Sequence, residues 1–98
     1  MFRHVVLLQF TPEATEGQVE SLLAELAALP EAIAEIRAYQ FGKDAGVVDG
    51  NADLAVVADF DDVDGYRVYA THPEHLRVIK EYIRPIMSSR MAAQYLLR

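Results

Sequence analysis

The chain has 98 residues, no cysteine, and 9 Lys and Arg against 15 Asp and Glu, which gives a formal net charge of −6. This length provides for one hydrophobic core, so we expect a single domain over residues 1–98. The lack of cysteine excludes disulfides, thiolate nucleophiles and cysteine-ligated zinc. The acidic balance argues against nucleic-acid or anionic-membrane partners, since both require clustered Lys and Arg. No apolar run is long enough to span a membrane, and we expect a cytoplasmic protein.

The first half of the chain predicts a strand, a helix and a second strand. Residues 2–10 are rich in β-branched and aromatic side chains, which favour a strand. Thr15 and Gln18 have the spacing of a capping box, and apolar residues then recur at helical spacing. Pro30 is expected to end this helix. Residues 36–42 predict a second, weaker strand.

The second half predicts a strand, a broken helical region and a final strand. Residues 54–60 are apolar and β-branched. A helical pattern extends over residues 62–84 with a break near Pro73, and a second capping box is expected to begin at Thr71. Residues 90–97 alternate as a last strand.

The predicted order βαββαβ is that of an α+β, ferredoxin-like fold: a four-stranded antiparallel sheet with both helices on one face. The other face of such a sheet is normally polar. Here the first and third strands are apolar on both sides, because Val5, Leu7, Ala55 and Val57 occupy the second face. We therefore expect two sheets to pack face to face in a homodimer, the alternative being a single, partly hydrated sheet.

The three histidines are the first candidates for chemistry. His75 lies in the first turn of a predicted helix, where the helix dipole disfavours an imidazolium, and beside the apolar Ile79. A neutral imidazole is what a general base requires, although a packing or capping role is the common alternative. His4 lies in an apolar strand, so it either has a buried partner or faces a cavity. His72 is included as a substrate-binding candidate, with helix capping as its structural alternative.

Tyrosine hydroxyls form the second group of candidates. Tyr69 precedes the break in the helical region and can approach His75, where its hydroxyl would polarise a carbonyl next to the base. Tyr39 and Tyr82 are expected to bound the same pocket and to contact substrate. We predict that His4, Tyr69 and His75 converge on one cavity on the helix side of the sheet.

Other local patterns do not predict a site. The His-Pro-Glu-His segment lacks a third metal ligand, so no metal is expected, and no motif indicates a cofactor. Residues 49–53 imitate the start of a calcium loop, but Leu54 and Phe60 occupy positions that require Gly and Glu. The acidic residues between Asp59 and Asp64 are expected to cap and solvate a helix start.

The sequence resembles the stress-responsive A/B barrel domain family of the dimeric α+β barrel superfamily. The resemblance covers nearly the whole chain. It rests on the opening Arg3–Phe10, on Gly42–Asp44, on Asp53–Val57 with Phe60, and above all on the Y-x-x-H-P-x-H segment Tyr69–His75.

This resemblance implies a homodimer whose two sheets enclose a shared barrel, with the last strand helping to join the pair. One branch of the family comprises plant polyketide cyclases. In that branch, the residues matching His75 and Tyr69 act as base and orienting partner, and the residue matching His4 lines the pocket. A third-strand histidine of that pocket matches Leu54 here.

The leading functional hypothesis is a homodimer that binds a small apolar or carbonyl-bearing molecule, with cyclase-like or isomerase-like proton transfer. The alternative is a non-catalytic, stress-related stable dimer or ligand-holding module. A regulatory amino-acid-sensing domain is a weaker third option, since such domains normally attach to larger enzymes.

Overall fold

The four strands form one antiparallel sheet. In the computed structural model, which describes residues 1–98, they are β1 (Phe2–Phe10), β2 (Ala38–Lys43), β3 (Leu54–Phe60) and β4 (Met87–Leu96). Their order across the sheet is β2-β3-β1-β4. This confirms the ferredoxin-like α+β fold. The bounds of β1 and β3 agree with the sequence prediction, whereas β4 begins earlier than expected.

The helical elements are α1 (Glu16–Ala32), α2 (Val63–Thr71) and α3 (Pro73–Val78), followed by a π-helical segment (Ile79–Ile83). In this segment the Arg84 N–H donates to the Ile79 carbonyl across five residues, at 2.9 Å. None of these helices has the length and apolar character needed to cross a bilayer. Short π-helical turns are frequent at functional sites, and this one borders the cavity described below.

Cross-strand register separates the two faces of the sheet. On the helix side, His4 pairs with Ala58 and Leu8 with Leu54, and all four residues are buried. On the opposite face, Val5 pairs with Val57, and Leu7 is 39% exposed. Met91, which pairs with Leu7 and shares this open face, is 72% exposed. One chain therefore leaves an apolar sheet face uncovered.

The ends of α1 illustrate one confirmed and one wrong prediction. The capping box is present: the Gln18 N–H donates to Thr15 Oγ1 at 3.1 Å, and the Thr15 N–H donates to Gln18 Oε1 at 2.9 Å. Pro30 does not end the helix, which continues to Ala32. The Ile33 N–H still donates to the Leu29 carbonyl, so a proline in the last turn leaves the helix end hydrogen-bonded.

The second capping box is wrong, because the cap shifts by one residue. His72 is the N-cap of α3, and its Nδ1 accepts from the Glu74 N–H at 3.1 Å. Thr71 instead ends α2, and its hydroxyl donates to the Arg67 carbonyl. Pro73 explains the shift, since proline fits the first position of a helix and disfavours helical backbone before it.

The acidic run divides between a cap and a buried ion pair. Asp62 caps α2 as predicted by accepting from the Gly65 N–H at 2.9 Å. Asp59 neither caps a helix nor is solvated. It lies on β3, on the sheet face away from the helices, and is nevertheless buried. It accepts two hydrogen bonds from the Arg3 guanidinium, at 2.7 and 2.9 Å. The cross-strand register Arg3–Asp59 explains this correction.

Candidate functional site

A cavity of about 270 Å³ lies on the helix side of the sheet, between β1 and the helices. His4, Tyr39, Tyr69 and His75 all line it, and most of the remaining lining is apolar. The volume is just below the ~300 Å³ at which small-molecule pockets usually begin. An apolar enclosure with a few converging polar groups is the usual form of a small-ligand site.

His75 lies in α3, and its hydrogen bond fixes which nitrogen is free. Its Nδ1 is 3.3 Å from the Ala70 carbonyl oxygen. A carbonyl only accepts, so Nδ1 carries the proton and Nε2 of the neutral ring keeps a lone pair. The imidazole stacks on the Tyr69 ring, with centroids 4.0 Å apart and 27° between the planes.

Burial lowers the pKa of His75 below its ordinary value of 6.5, and the hydrogen bonds to the backbone of Ala70 and Tyr69 oppose this effect. From the sequence we expected mainly the helix dipole to keep His75 neutral, whereas burial is the main cause. α3 has only six residues, whereas His75 lines the cavity and is partly withdrawn from solvent. Desolvation penalises the charged imidazolium.

His4 lies in the middle of β1 and is buried. Its Nδ1 accepts from the side-chain amide of Gln94, its cross-strand neighbour on β4, at 3.0 Å. The proton of the neutral ring is therefore on Nε2. Burial lowers the pKa of His4 to about 4, and the charges of Arg90 and His75 act in the same direction. The Tyr66 ring lies against it, with centroids 4.9 Å apart.

Two tyrosine hydroxyls meet in the cavity. Tyr39 of β2 and Tyr69 of α2 lie with their hydroxyl oxygens 3.1 Å apart. Burial is the main cause that raises the pKa of each phenol, so both stay protonated at neutral pH. Two hydroxyls share two protons, and only one is used between them. The pair therefore keeps one O–H available to a third oxygen.

The structure does not bring His72 and Tyr82 to this cavity. His72 caps α3, as described above, because Pro73 restarts the helix after it. Tyr82 lies in the π-helical segment beside α1, in a separate depression with Thr15 and Gln18. Its ring lies 5.8 Å from the Arg77 guanidinium carbon.

Sequence reasoning missed three polar residues of the cavity, namely Tyr66, Arg84 and Arg90. Tyr66 precedes Tyr69 by three residues on α2, and this spacing places both on one helix face. Arg90 pairs with Leu8 in the β1–β4 register and so shares the face of His4. The alternation of side chains along β4 would have been enough to place Arg90 on this face. No sequence pattern predicts the position of Arg84, since the π-helical turn sets it.

The family model of the stress-responsive A/B barrel domain matches residues 2–96. No curated protein matches the chain. A dimeric ferredoxin-like protein of unknown function from Thermobifida fusca YX is 42% identical, with a TM-score of 0.91 over 98% of this chain and 90% of that one. A second such protein, from Bacteroides fragilis, is 25% identical, with a TM-score of 0.83 over 98% and 95% of the two chains.

A hydroxynitrile lyase from Passiflora edulis shares the fold, with 19% identity and a TM-score of 0.86 over 99% of this chain and 93% of that one. The family match covers the Tyr69–His75 segment and all four strands, including the two that are apolar on both sides. The chain belongs to the stress-responsive A/B barrel domain family.

Proposed function

We propose that this protein is a cytoplasmic homodimer that binds a small carbonyl-bearing molecule in the cavity and moves a proton on it. The observation that carries the proposal is the free Nε2 of a neutral His75 beside a tyrosine pair with a spare O–H. The dimer is supported by the uncovered apolar sheet face and by relatives described as dimeric.

His75 would act as the general base. Its Nε2 would take a proton from the carbon next to a carbonyl, and the electron pair of that C–H bond would move to the carbonyl oxygen. Burial keeps the pKa of His75 below its ordinary value, so the base is unprotonated at neutral pH. The Tyr69 ring stacked against it favours the imidazolium that then forms.

The tyrosine pair would stabilise the enolate oxygen. The spare O–H of Tyr39 and Tyr69 can donate to that oxygen from within an apolar enclosure, where such a hydrogen bond is stronger than in water. Where the substrate has a double bond β,γ to the carbonyl, the imidazolium then gives its proton to the γ carbon. The double bond moves into conjugation with the carbonyl as the enolate electrons return, which is an isomerisation.

Polyketide ring closure has less support than isomerase-type transfer. Position 54, where the similar cyclases have a histidine, holds a leucine that is 1% exposed and does not line the cavity. The hydroxynitrile lyase that shares the fold shows that this architecture can hold an enzyme site, but at 19% identity it carries no substrate to this chain.

The test measures proton abstraction directly and needs no knowledge of the natural substrate. The probe is β-benzoylpropionamide, a neutral aryl ketone, whose methylene next to the ketone exchanges hydrogen for deuterium in D₂O. We expect the protein to accelerate this exchange and His75→Ala to remove ~10²–10⁴-fold of the acceleration. Proton NMR follows the loss of the methylene signal.

Tyr82→Phe is the matched control, since Tyr82 lies outside the cavity, and it should exchange like the parent protein. Tyr69→Phe should slow exchange while leaving the dimer intact. Binding of the probe without any His75-dependent exchange would refute catalysis and leave the ligand-holding alternative. A fall of several degrees in melting temperature for His75→Ala, with no effect on exchange, would assign His75 to structure.

A further inference from the structure

We propose that the cavity selects an anionic ligand, a ketone or aldehyde that also carries a carboxylate, and that Arg84 and Arg90 bind this carboxylate. This rests on the ligand-binding role proposed above and adds the substrate class. Both arginines line the same cavity as His4 and His75, and both are exposed, whereas His4 is 4% exposed. The two guanidinium groups therefore lie at the mouth of the cavity and His4 at its floor.

The distribution of ion pairs singles out these two residues. The chain has 9 Lys and Arg, and five of them form ion pairs with carboxylates: Arg3, Arg37, Lys43, Arg67 and Arg77. The four without an ion pair are Lys80, Arg84, Arg90 and Arg98. In a chain with a net charge of −6, unpaired cations are scarce, and two of the four face one cavity.

No Asp or Glu lines the cavity, so its only formal charges are the two guanidinium groups. The field of Arg90 extends to the floor, because its charge is among the causes that lower the pKa of both His4 and His75. A carboxylate at the mouth would neutralise that charge, and guanidinium groups hold carboxylates with paired N–H donors.

The strand register gives the spacing between the two ends of the ligand. Arg90 pairs with Leu8, which is four residues from His4 along β1. At ~3.3 Å per residue this places the backbones about 13 Å apart, and the arginine side chain spans part of that distance. A ligand with its carboxylate two or three carbons from the ketone can then contact both Arg90 and the His4 end of the cavity.

The experiment compares β-benzoylpropionate with β-benzoylpropionamide, which has the same shape but no charge. Titration calorimetry at neutral pH gives Kd for both ligands with the parent protein, Arg90→Gln, Arg84→Gln and the double variant. Lys80→Gln is the matched control, because it removes one unpaired cation that does not line the cavity. All three substituted positions carry exposed side chains, and thermal unfolding verifies that each variant folds.

We expect the parent protein to bind the acid about three- to tenfold more tightly than the amide. This preference should shrink in each single variant, disappear in the double variant, persist in Lys80→Gln and decrease with added salt. Equal binding of acid and amide, or a preference that survives the double variant, would overturn the anion subsite while leaving the proposed function standing. Binding of neither ligand would contradict both proposals.

Discussion

His4 and His75 carry the same ring but are held in opposite tautomers by their local partners. The amide of Gln94 donates to Nδ1 of His4, whereas Nδ1 of His75 donates to the Ala70 carbonyl. His4 is therefore an Nε2–H donor and His75 an Nε2 acceptor. Burial lowers the pKa of both, so this complementary pair remains neutral at physiological pH.

The buried His4 should make the protein sensitive to acid. Its pKa is about 4 in the folded protein, against 6.5 in the unfolded chain, so the unfolded state takes up a proton first as the pH falls. Above pH 6.5, His4 therefore does not change the free energy of unfolding. Between pH 6.5 and about pH 4, protonation of His4 in the unfolded chain lowers that free energy by about 2–3 kcal/mol.

Urea unfolding at fixed protein concentration, measured at about pH 7 and about pH 5, shows how much the free energy of unfolding falls between these two pH values. The variant His4→Gln should lose less stability than the parent over this interval. Proton NMR titration of the imidazole C–H signals is the independent measurement. A His4 or His75 midpoint at or above the ordinary 6.5 would contradict the neutral pair.

At the scale of elements, local signals fixed the start of α1 but not its end. The Thr15–Gln18 box involves neighbours in sequence, so the pattern alone specifies it. The extension through Pro30 depends on Leu26, Leu29 and Ile33, which are at most 2% exposed. Packing of that apolar face against the sheet outweighs the hydrogen bond that proline removes.

The Arg3–Asp59 ion pair joins β1 to β3, and we expect Asp59→Asn to destabilise the protein by about 1–3 kcal/mol. The Asp59 side chain is 8% exposed, and the Arg3 guanidinium holds its pKa below the ordinary value. The ion pair stabilises the protein fully at any pH above the ordinary carboxyl pKa. This stabilisation is lost as the pH falls through the lowered pKa of Asp59.

Asp61→Asn is the matched control, because its pair with Arg37 is exposed, at 60% for the carboxylate side chain. Its loss of stability should be much smaller. Thermal unfolding of both variants at neutral pH gives the comparison. Equal losses for the two variants would show that burial of Asp59 does not matter.

For the whole molecule, the uncovered sheet face indicates the assembly. Val5 and Val57 pair across β1 and β3 on that face, next to the exposed Leu7 and Met91. Two such faces packed together would bury on the order of 2,000 Å² or more, as obligate dimers do. The helix-side cavity is lined by residues of one chain and is already formed without a partner.

We therefore expect light scattering at micromolar concentration to give twice the mass of one chain. Val57→Asp should dissociate or unfold the protein, since it would bury an unpaired carboxylate in the interface. Val68→Asp is the matched control, because Val68 lies on α2 and is 43% exposed. A monomer mass for the parent protein would refute the dimer.

The sequence by itself determined the element order, the ferredoxin-like fold, the bounds of β1 and β3, and the capping box of α1. These features follow from period, turn residues and neighbours in sequence, which act locally. It also predicted a cavity shared by His4, Tyr69 and His75, from a histidine in an apolar strand and from the position of His75 in the first helical turn, with Tyr69 across the helix break. All three residues line one cavity in the structure.

Only the tertiary structure decided the rest of the site. The buried role of Asp59 depends on Arg3, 56 residues away along the chain. The tautomer of His4 depends on Gln94, 90 residues away. Arg90 reaches the cavity through the β1–β4 register, and Arg84 through a π-helical turn. Such contacts join residues that are distant in sequence, and no local pattern specifies which of them meet once the sheet and helices have packed.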